Sequence, residues 1–116
     1  MKKLILFGAS LALALPGAAL AGDAAAGKAK YDMFCSSCHG ASGKGDGPAG
    51  AALNPKPRNF TDAAWQDKVD DAHIAKVIKE GGAAAGLSPL MPPWGASLSD
   101  DDVNNIVAYI RSLKGK

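Results

Sequence analysis

Two cysteines and a histidine stand close enough in this sequence to act as one chemical group. They occur in Cys35-Ser36-Ser37-Cys38-His39, which is a C-x-x-C-H sequence. This spacing is the attachment signature of c-type haem. Each thiol can add to one haem vinyl group, and His39 then lies beside the iron. The sequence therefore predicts one covalent haem c, with Cys35 and Cys38 as its thioethers and His39 as an axial iron ligand.

A redox-active dithiol and a structural zinc site are the alternatives for these cysteines. A thioredoxin-like dithiol needs a sheet with a βαβ pattern, and no segment shows the alternation of a strand. A closed zinc site needs four ligands, and the only further histidine or cysteine is His73. Haem attachment is therefore favoured over both alternatives.

A second axial ligand has three candidates, Met33, Met91 and His73. Met91 is favoured because it lies in Leu90-Met91-Pro92-Pro93-Trp94, a loop rich in helix breakers, far along the chain from His39. Met33 is only two residues before the first cysteine and is expected to pack near the core. His73 lies between charged residues of a predicted helix and is expected to be solvated. We therefore expect His39 and Met91 to be the metal ligands.

The N-terminus has the features of a secretory signal peptide. Lys2 and Lys3 precede an apolar run over residues 4–15, and Ala-Leu-Ala at residues 19–21 provides a cleavage pattern. The run is shorter than the ~20 apolar residues that span a bilayer. We expect cleavage after residue 21, one mature domain over residues 22–116 without a membrane span, and export to the periplasm.

The charge of the predicted mature chain is balanced. The 13 basic residues include Lys2 and Lys3, so residues 22–116 carry 11 basic and 11 acidic residues. A formally neutral chain gives no indication of binding to nucleic acid or to anionic lipid.

The elements that must position these groups are predicted to be short helices. N-caps at Asp23, at Thr61 or Asp62, and at Asp70 precede helical patterns, and Ser99 with Asp102 forms a capping box for the last helix. Glycine and proline are frequent between residues 40 and 60 and between residues 81 and 98, which indicates loops. The predicted fold is all-α, with about three to five short helices and long loops wrapped around one haem.

Together these motifs resemble those of a bacterial class I monohaem cytochrome c over residues 22–116. The matching pieces are the C-x-x-C-H sequence with Gly40, the pairs Gly47-Pro48 and Met91-Pro92, and a C-terminal helix containing Ile106 and Tyr109. The resemblance implies the small cytochrome c fold, in which the N- and C-terminal helices cross closely. It also implies Met91 as the sixth iron ligand and the Pro48 carbonyl as the hydrogen-bond acceptor of the ligating imidazole.

The resemblance and the cofactor suggest further haem contacts. Haem propionates need hydrogen-bond donors, and packing partners are needed around the ring. The candidates in the loops and the short helix are Lys56, Arg58, Asn59, Trp65 and Trp94.

The predicted function is that of a periplasmic one-electron carrier rather than an enzyme. A methionine sulfur and an apolar pocket both raise the reduction potential of haem iron. We expect a monomer that docks transiently with redox proteins and moves electrons between respiratory-type complexes. Two alternatives stay open: a haem-based gas or redox sensor in which Met91 leaves the iron, and the cytochrome subunit of a periplasmic dehydrogenase.

Overall fold

The computed structural model describes residues 22–116, and within that range the chain is helical and contains no strand. The predicted signal peptide lies outside the described residues. Residues 22–116 form five α-helices and two short 3₁₀ turns. The helices are α1 (Ala24–Phe34), α2 (Ser36–His39), α3 (Ala63–Lys68), α4 (Asp71–Glu80) and α5 (Asp100–Ser112), and the 3₁₀ turns are Pro48–Gly50 and Ala83–Ala85. The prediction of an all-α fold is confirmed.

The longer helices begin at residues whose side chains accept hydrogen bonds from the first turn. The Asp23 and Asp62 carboxylates each accept from the main-chain N–H groups of the second and third following residues, and Asp70 caps α4 by accepting from the third following residue alone. Ser99 and Asp102 form the reciprocal capping box at α5. Each cap satisfies main-chain donors that the helix leaves free. The predicted helix starts are therefore confirmed, with Asp62 rather than Thr61 as the cap of α3.

The first and last helices cross at Gly27. A Cβ atom at that position would lie 1.8 Å from the main-chain oxygen of Asn105, so only a glycine allows this approach. Tyr31 and Ile106 have no solvent-exposed area, and the rings of Tyr31 and Tyr109 have centroids 5.0 Å apart. The contact that the resemblance implied is confirmed. Because α1 leads directly into α2, this crossing fixes the place of the cysteines and His39.

A partly buried polar network joins α5 to the segment that carries α3 and α4. The Arg111 guanidinium donates to the carbonyl oxygens of Gln66 and Val69, to the Gln66 side chain, and through Nε to Asp71 at 2.6 Å. The Gln66 amide nitrogen donates to the carbonyls of Phe60 and Ile110, each at 2.8 Å. These bonds fix the short α3 against the long C-terminal helix.

The two long loops are held by main-chain hydrogen bonds. The N–H of Phe60 donates to the Gly43 carbonyl at 2.7 Å, which closes the first loop. The N–H of Trp94 donates to the Ile78 carbonyl at 2.9 Å, which anchors the second loop to α4. None of the helices in residues 22–116 is long and apolar enough to cross a membrane.

Candidate functional site

A cavity of about 700 Å³ lies between the helices and both long loops. Its walls are mostly apolar and come from α1 to α5 together with residues of the two loops. The predicted site residues that line it are Cys35, Cys38, His39, Lys56, Arg58, Trp65, Met91 and Trp94. The two rejected ligand candidates, Met33 and His73, also line it. Pro48 and Asn59 are not among its lining residues.

The end of α1 and the short α2 position both thiols. The N–H of Cys35 donates to the Tyr31 carbonyl at 2.8 Å, and the N–H of His39 donates to the Cys35 carbonyl at 2.9 Å. One helical turn therefore presents both cysteines and the histidine to the cavity. Both cysteines are half-buried, and no disulfide joins them.

The environment of Cys35 does not suit a redox-active dithiol. Burial, reinforced by the neighbouring Cys38, raises the pKa of the Cys35 thiol to about 12. A thiol that stays protonated at neutral pH is a poor nucleophile for thiol–disulfide exchange.

His39 is held by a main-chain carbonyl and by an aromatic ring. Its Nδ1 lies 3.3 Å from the carbonyl oxygen of Arg58, and the Phe60 ring stacks on the imidazole with centroids 4.5 Å apart and planes 18° apart. Burial lowers the pKa of His39, and the Arg58 carbonyl opposes this effect. A neutral imidazole that donates Nδ1–H to this carbonyl leaves the Nε2 lone pair available for a metal.

The carbonyl beside His39 differs from the one that the resemblance implied. The structure places the Arg58 carbonyl at Nδ1, whereas Pro48 begins a 3₁₀ turn next to a different main-chain contact, Gly47 N–H to the Cys38 carbonyl at 3.1 Å. The reason is the path of the first loop, which returns to the imidazole just before Phe60.

Met91 is half-buried in the second loop and lines the same cavity as His39. Its carbonyl accepts from the Gly82 N–H at 3.0 Å, and its own N–H donates to the Ser88 carbonyl at 3.2 Å. Hydrogen bonds at both its N–H and its carbonyl therefore fix the main chain of Met91. Met33, by contrast, is 70% exposed, and His73 is exposed.

The cavity rim has a basic part and an uncharged part. Lys56, Arg58 and Lys68 line the cavity, and the Arg58 guanidinium lies 5.5 Å from the centre of the Trp65 ring. Trp94 belongs to the uncharged part, where its ring centroid lies 5.3 Å from that of Phe34.

Sequence reasoning missed the ring that stacks on His39, Phe60, and one cationic side chain of the cavity, Lys68. Lys68 lies three residues after Trp65, so helical spacing places both on one face of α3, and this signal was available in the sequence. The stacking of Phe60 on His39 depends on how the first loop closes. No local pattern indicates it.

The size of this cavity and the residues that line it suit a haem. Its volume lies in the range of cofactor pockets, its walls are mostly apolar, and it brings together two thiols, a half-buried imidazole and a thioether. Basic groups at the rim can pair with two propionates.

Comparison with known proteins agrees with this chemistry. The family model named Cytochrome c matches residues 24–114. The chain belongs to the cytochrome c family. Cytochrome c-554(547) of Halothiobacillus neapolitanus is 41% identical over 96 residues, which cover 81% of this chain and 100% of the relative.

A second relative is longer than this cytochrome. The cbb3-type cytochrome c oxidase subunit FixP of Azorhizobium caulinodans is 34% identical over 104 residues, which cover 87% of this chain and 31% of the relative. This cytochrome thus spans about a third of FixP. A solved structure, the KustC0563 c-type cytochrome, superposes with a TM-score of 0.62 at 31% identity and covers 76% of this chain and 96% of that one.

Family membership settles the cofactor and the general function. The chain is a haem c electron carrier with covalently bound haem, as members of this family are. The predicted family, fold, cofactor and electron-carrier function are confirmed.

Proposed function

We propose that this cytochrome carries one electron at a time on a haem that Cys35 and Cys38 hold through thioether bonds, with His39 and Met91 as axial ligands. The observation that supports the proposal is that all four side chains line one cavity. When bound, the haem supplies an iron that alternates between the ferric and ferrous states.

The groups around His39 prepare it to be a ligand. The Arg58 carbonyl accepts a hydrogen bond from Nδ1–H, and the stacked Phe60 ring limits rotation of the imidazole. The Pro48 carbonyl that the resemblance implied as acceptor stays a prediction. A hydrogen-bonded imidazole is a more basic and better oriented ligand.

The Met91 thioether and the apolar walls both shift the reduction potential of the iron in the same direction. A soft sulfur ligand favours ferrous iron, and a low-dielectric pocket disfavours the additional charge of the ferric form. Both effects raise the potential, so we propose a carrier in the positive part of the cytochrome range.

The basic rim is the proposed propionate side of the pocket. Arg58, Lys56 and Lys68 supply cationic donors, and Trp65 supports the Arg58 guanidinium. Trp94 packs beside Phe34, which favours haem packing over a propionate contact for its ring.

The ligand assignment is tested with haem-loaded protein matured in a periplasm. Met91→Ala should abolish the methionine-to-ferric-iron charge-transfer band, because its sulfur is lost from the iron. Met33→Ala is the matched control and should keep the band, since Met33 is largely exposed. A band that persists in Met91→Ala and vanishes in Met33→Ala would overturn the assignment.

The cellular setting proposed is the periplasm, reached after cleavage following Ala21. We propose a monomer without catalytic activity that docks transiently with respiratory-type redox complexes, and the name of the oxidase subunit FixP supports such partners. That relative also favours a second possibility, since there a domain of this kind is part of a larger subunit. Co-purification with a larger chain at native expression would support a permanent subunit, whereas elution alone as a monomer would support the free carrier.

A further inference from the structure

One buried amide lies behind the aromatic ring that stacks on His39. Gln66 is 3% exposed and belongs to α3. Its Nε2 donates to the carbonyls of Phe60 and Ile110, each at 2.8 Å, and its Oε1 accepts from the Arg111 guanidinium at 2.9 Å. Both amide hydrogens and the amide oxygen are therefore used, which leaves this side chain one orientation.

Gln66 and the first loop together fix the main chain of Phe60. The Phe60 carbonyl accepts from Gln66, and the Phe60 N–H donates to the Gly43 carbonyl at 2.7 Å. The Phe60 ring is buried, and the centroids of the Tyr31 and Trp65 rings lie 6.4 Å and 5.6 Å from its own. Neither the main chain nor the ring of Phe60 can therefore move without disturbing its neighbours.

The segment that ends at Phe60 supplies both groups that hold the His39 imidazole. The Phe60 ring stacks on the imidazole with planes 18° apart, and the carbonyl oxygen of Arg58, two residues earlier, lies 3.3 Å from Nδ1. A shift of the main chain at Phe60 moves both groups, because they belong to three consecutive residues. The Gln66 amide therefore has a route to the imidazole.

Arg111 of α5 fixes the Gln66 amide in turn. Its Nη1 donates to the Gln66 carbonyl at 2.7 Å and to Oε1 at 2.9 Å, and its Nε donates to Asp71 at 2.6 Å. The same helix crosses α1 at Gly27, and α1 leads into the turn that carries His39. Helix α5 thus fixes the main chain of His39 through α1 and the neighbours of its imidazole through Gln66.

We propose that Gln66 is a positioning residue for electron transfer, which fixes the plane of the His39 imidazole through Phe60. The inference rests on the proposed function, in which His39 is an iron ligand. The plane of an axial imidazole affects the energies of the iron d orbitals, and a plane that is the same in both oxidation states keeps the rearrangement on electron transfer small. Directional hydrogen bonds from a buried amide hold such a plane more firmly than apolar packing alone.

The test is the electron paramagnetic resonance spectrum of the ferric haem-loaded protein, because the g values of low-spin ferric haem depend on the plane of the axial imidazole. Gln66→Leu introduces an uncharged side chain of similar size that cannot donate to Phe60. We expect its largest g value to shift and the line to broaden relative to the parent, since the imidazole is no longer held in one plane. Phe60→Leu, which removes the stacked ring, should also shift this value.

A double variant shows whether Gln66 acts through Phe60. In the Phe60→Leu background, Gln66→Leu should cause little further shift, because the ring that transmits its effect is already absent. Arg111→Lys is a milder change to the same network, since it keeps the positive charge but loses the planar fork of donors. We expect it to shift the g value in the same direction as Gln66→Leu and by less. Arg111→Lys also decides the question if Gln66→Leu does not accumulate with haem.

Ser99→Ala is the matched control for lost stability. It removes the hydrogen bond that Ser99 Oγ accepts from the Asp102 N–H, at the opposite end of α5 from Arg111, and Ser99 is not among the residues that line the cavity. Loss of a helix cap and loss of a buried hydrogen bond both lower the free energy of unfolding. Ser99→Ala should therefore unfold at a lower urea concentration than the parent but keep the g values of the parent.

Three results would overturn the positioning role: g values in Gln66→Leu and Arg111→Lys that match the parent, an equal shift in Ser99→Ala, or shifts of Gln66→Leu and Phe60→Leu that add in full in the double variant. If any of these occurs while the parent is low-spin and titrates reversibly with one electron, the carrier function stands and only the positioning role fails. If the parent is not low-spin or does not titrate reversibly, the proposed function itself fails and the inference fails with it.

Discussion

Replacing Gly27 by alanine should destabilise the crossing of α1 and α5. The added Cβ would lie 1.8 Å from the Asn105 oxygen and 2.4 Å from its carbonyl carbon. These are main-chain atoms, which cannot rotate away, so the helices must separate by about 1 Å or more to reach an ordinary contact distance. The separation opens the packing around Tyr31 and Ile106, which have no exposed area.

The magnitude follows from two opposing effects. A gap of up to about 1 Å forfeits a quarter to a half of the dispersion energy of the atoms across it, and forced overpacking costs about 1–3 kcal/mol or more. Alanine in a helix interior is favoured over glycine by about 1 kcal/mol. Because the clash is with the backbone, we expect the upper part of that range and a net loss of about 2 kcal/mol in the free energy of unfolding.

The assay is urea unfolding of the haem-loaded protein, followed by circular dichroism. Ala26→Gly, at an exposed position of the same helix, is the control for helix propensity and should cost about 1 kcal/mol or less. If Gly27→Ala proved as stable as the parent or more stable, propensity alone would govern this position and the close crossing would be refuted.

Three further predictions concern two side chains that donate hydrogen bonds to buried carbonyls and one ion pair. Tyr31→Phe removes the hydroxyl that donates to the buried Gly40 carbonyl at 2.6 Å, so urea unfolding should show a loss of about 1–2 kcal/mol; an unchanged midpoint would contradict this. Gln66→Leu removes the amide that donates to two buried carbonyls and should cost about 2 kcal/mol, whereas a neutral effect would show that the network is unimportant. Lys79→Met should raise the pKa of Asp100 in an NMR titration, because the Lys79 hydrogen bond and charge hold it below its usual value. Since the folded-state pKa is lowered, the stabilisation by this pair is present above the unfolded pKa and is lost as pH falls through the folded pKa. An Asp100 pKa that is the same in Lys79→Met and in the parent would argue against the pair.

Local signals in the sequence were sufficient for much of the fold. The caps at Asp23, Asp70 and Ser99 act within one helical turn, so their residue types and spacing are enough to place a helix start. The C-x-x-C-H sequence is equally local. The close crossing of the first and last helices could be predicted only through the resemblance, because it joins residues far apart in the chain.

Other features depend on long-range folding and had no such signal. The carbonyl beside His39 belongs to the main chain at Arg58, and a main-chain acceptor has no residue type that could reveal it. The stacking of Phe60 requires the first loop to close on Gly43. The Arg111 guanidinium donates to the Gln66 carbonyl and side chain, 45 residues away in the chain, and no local pattern indicates this partner.

The most direct test of the central claim is a reductive potentiometric titration of the haem-loaded protein, repeated under carbon monoxide. A carrier with His39 and Met91 on the iron predicts one reversible one-electron step at positive potential and a ferrous spectrum that carbon monoxide does not change at neutral pH. An irreversible or multi-step titration would contradict the account. So would ready binding of carbon monoxide by the ferrous protein, which would indicate an exchangeable ligand and favour a sensor.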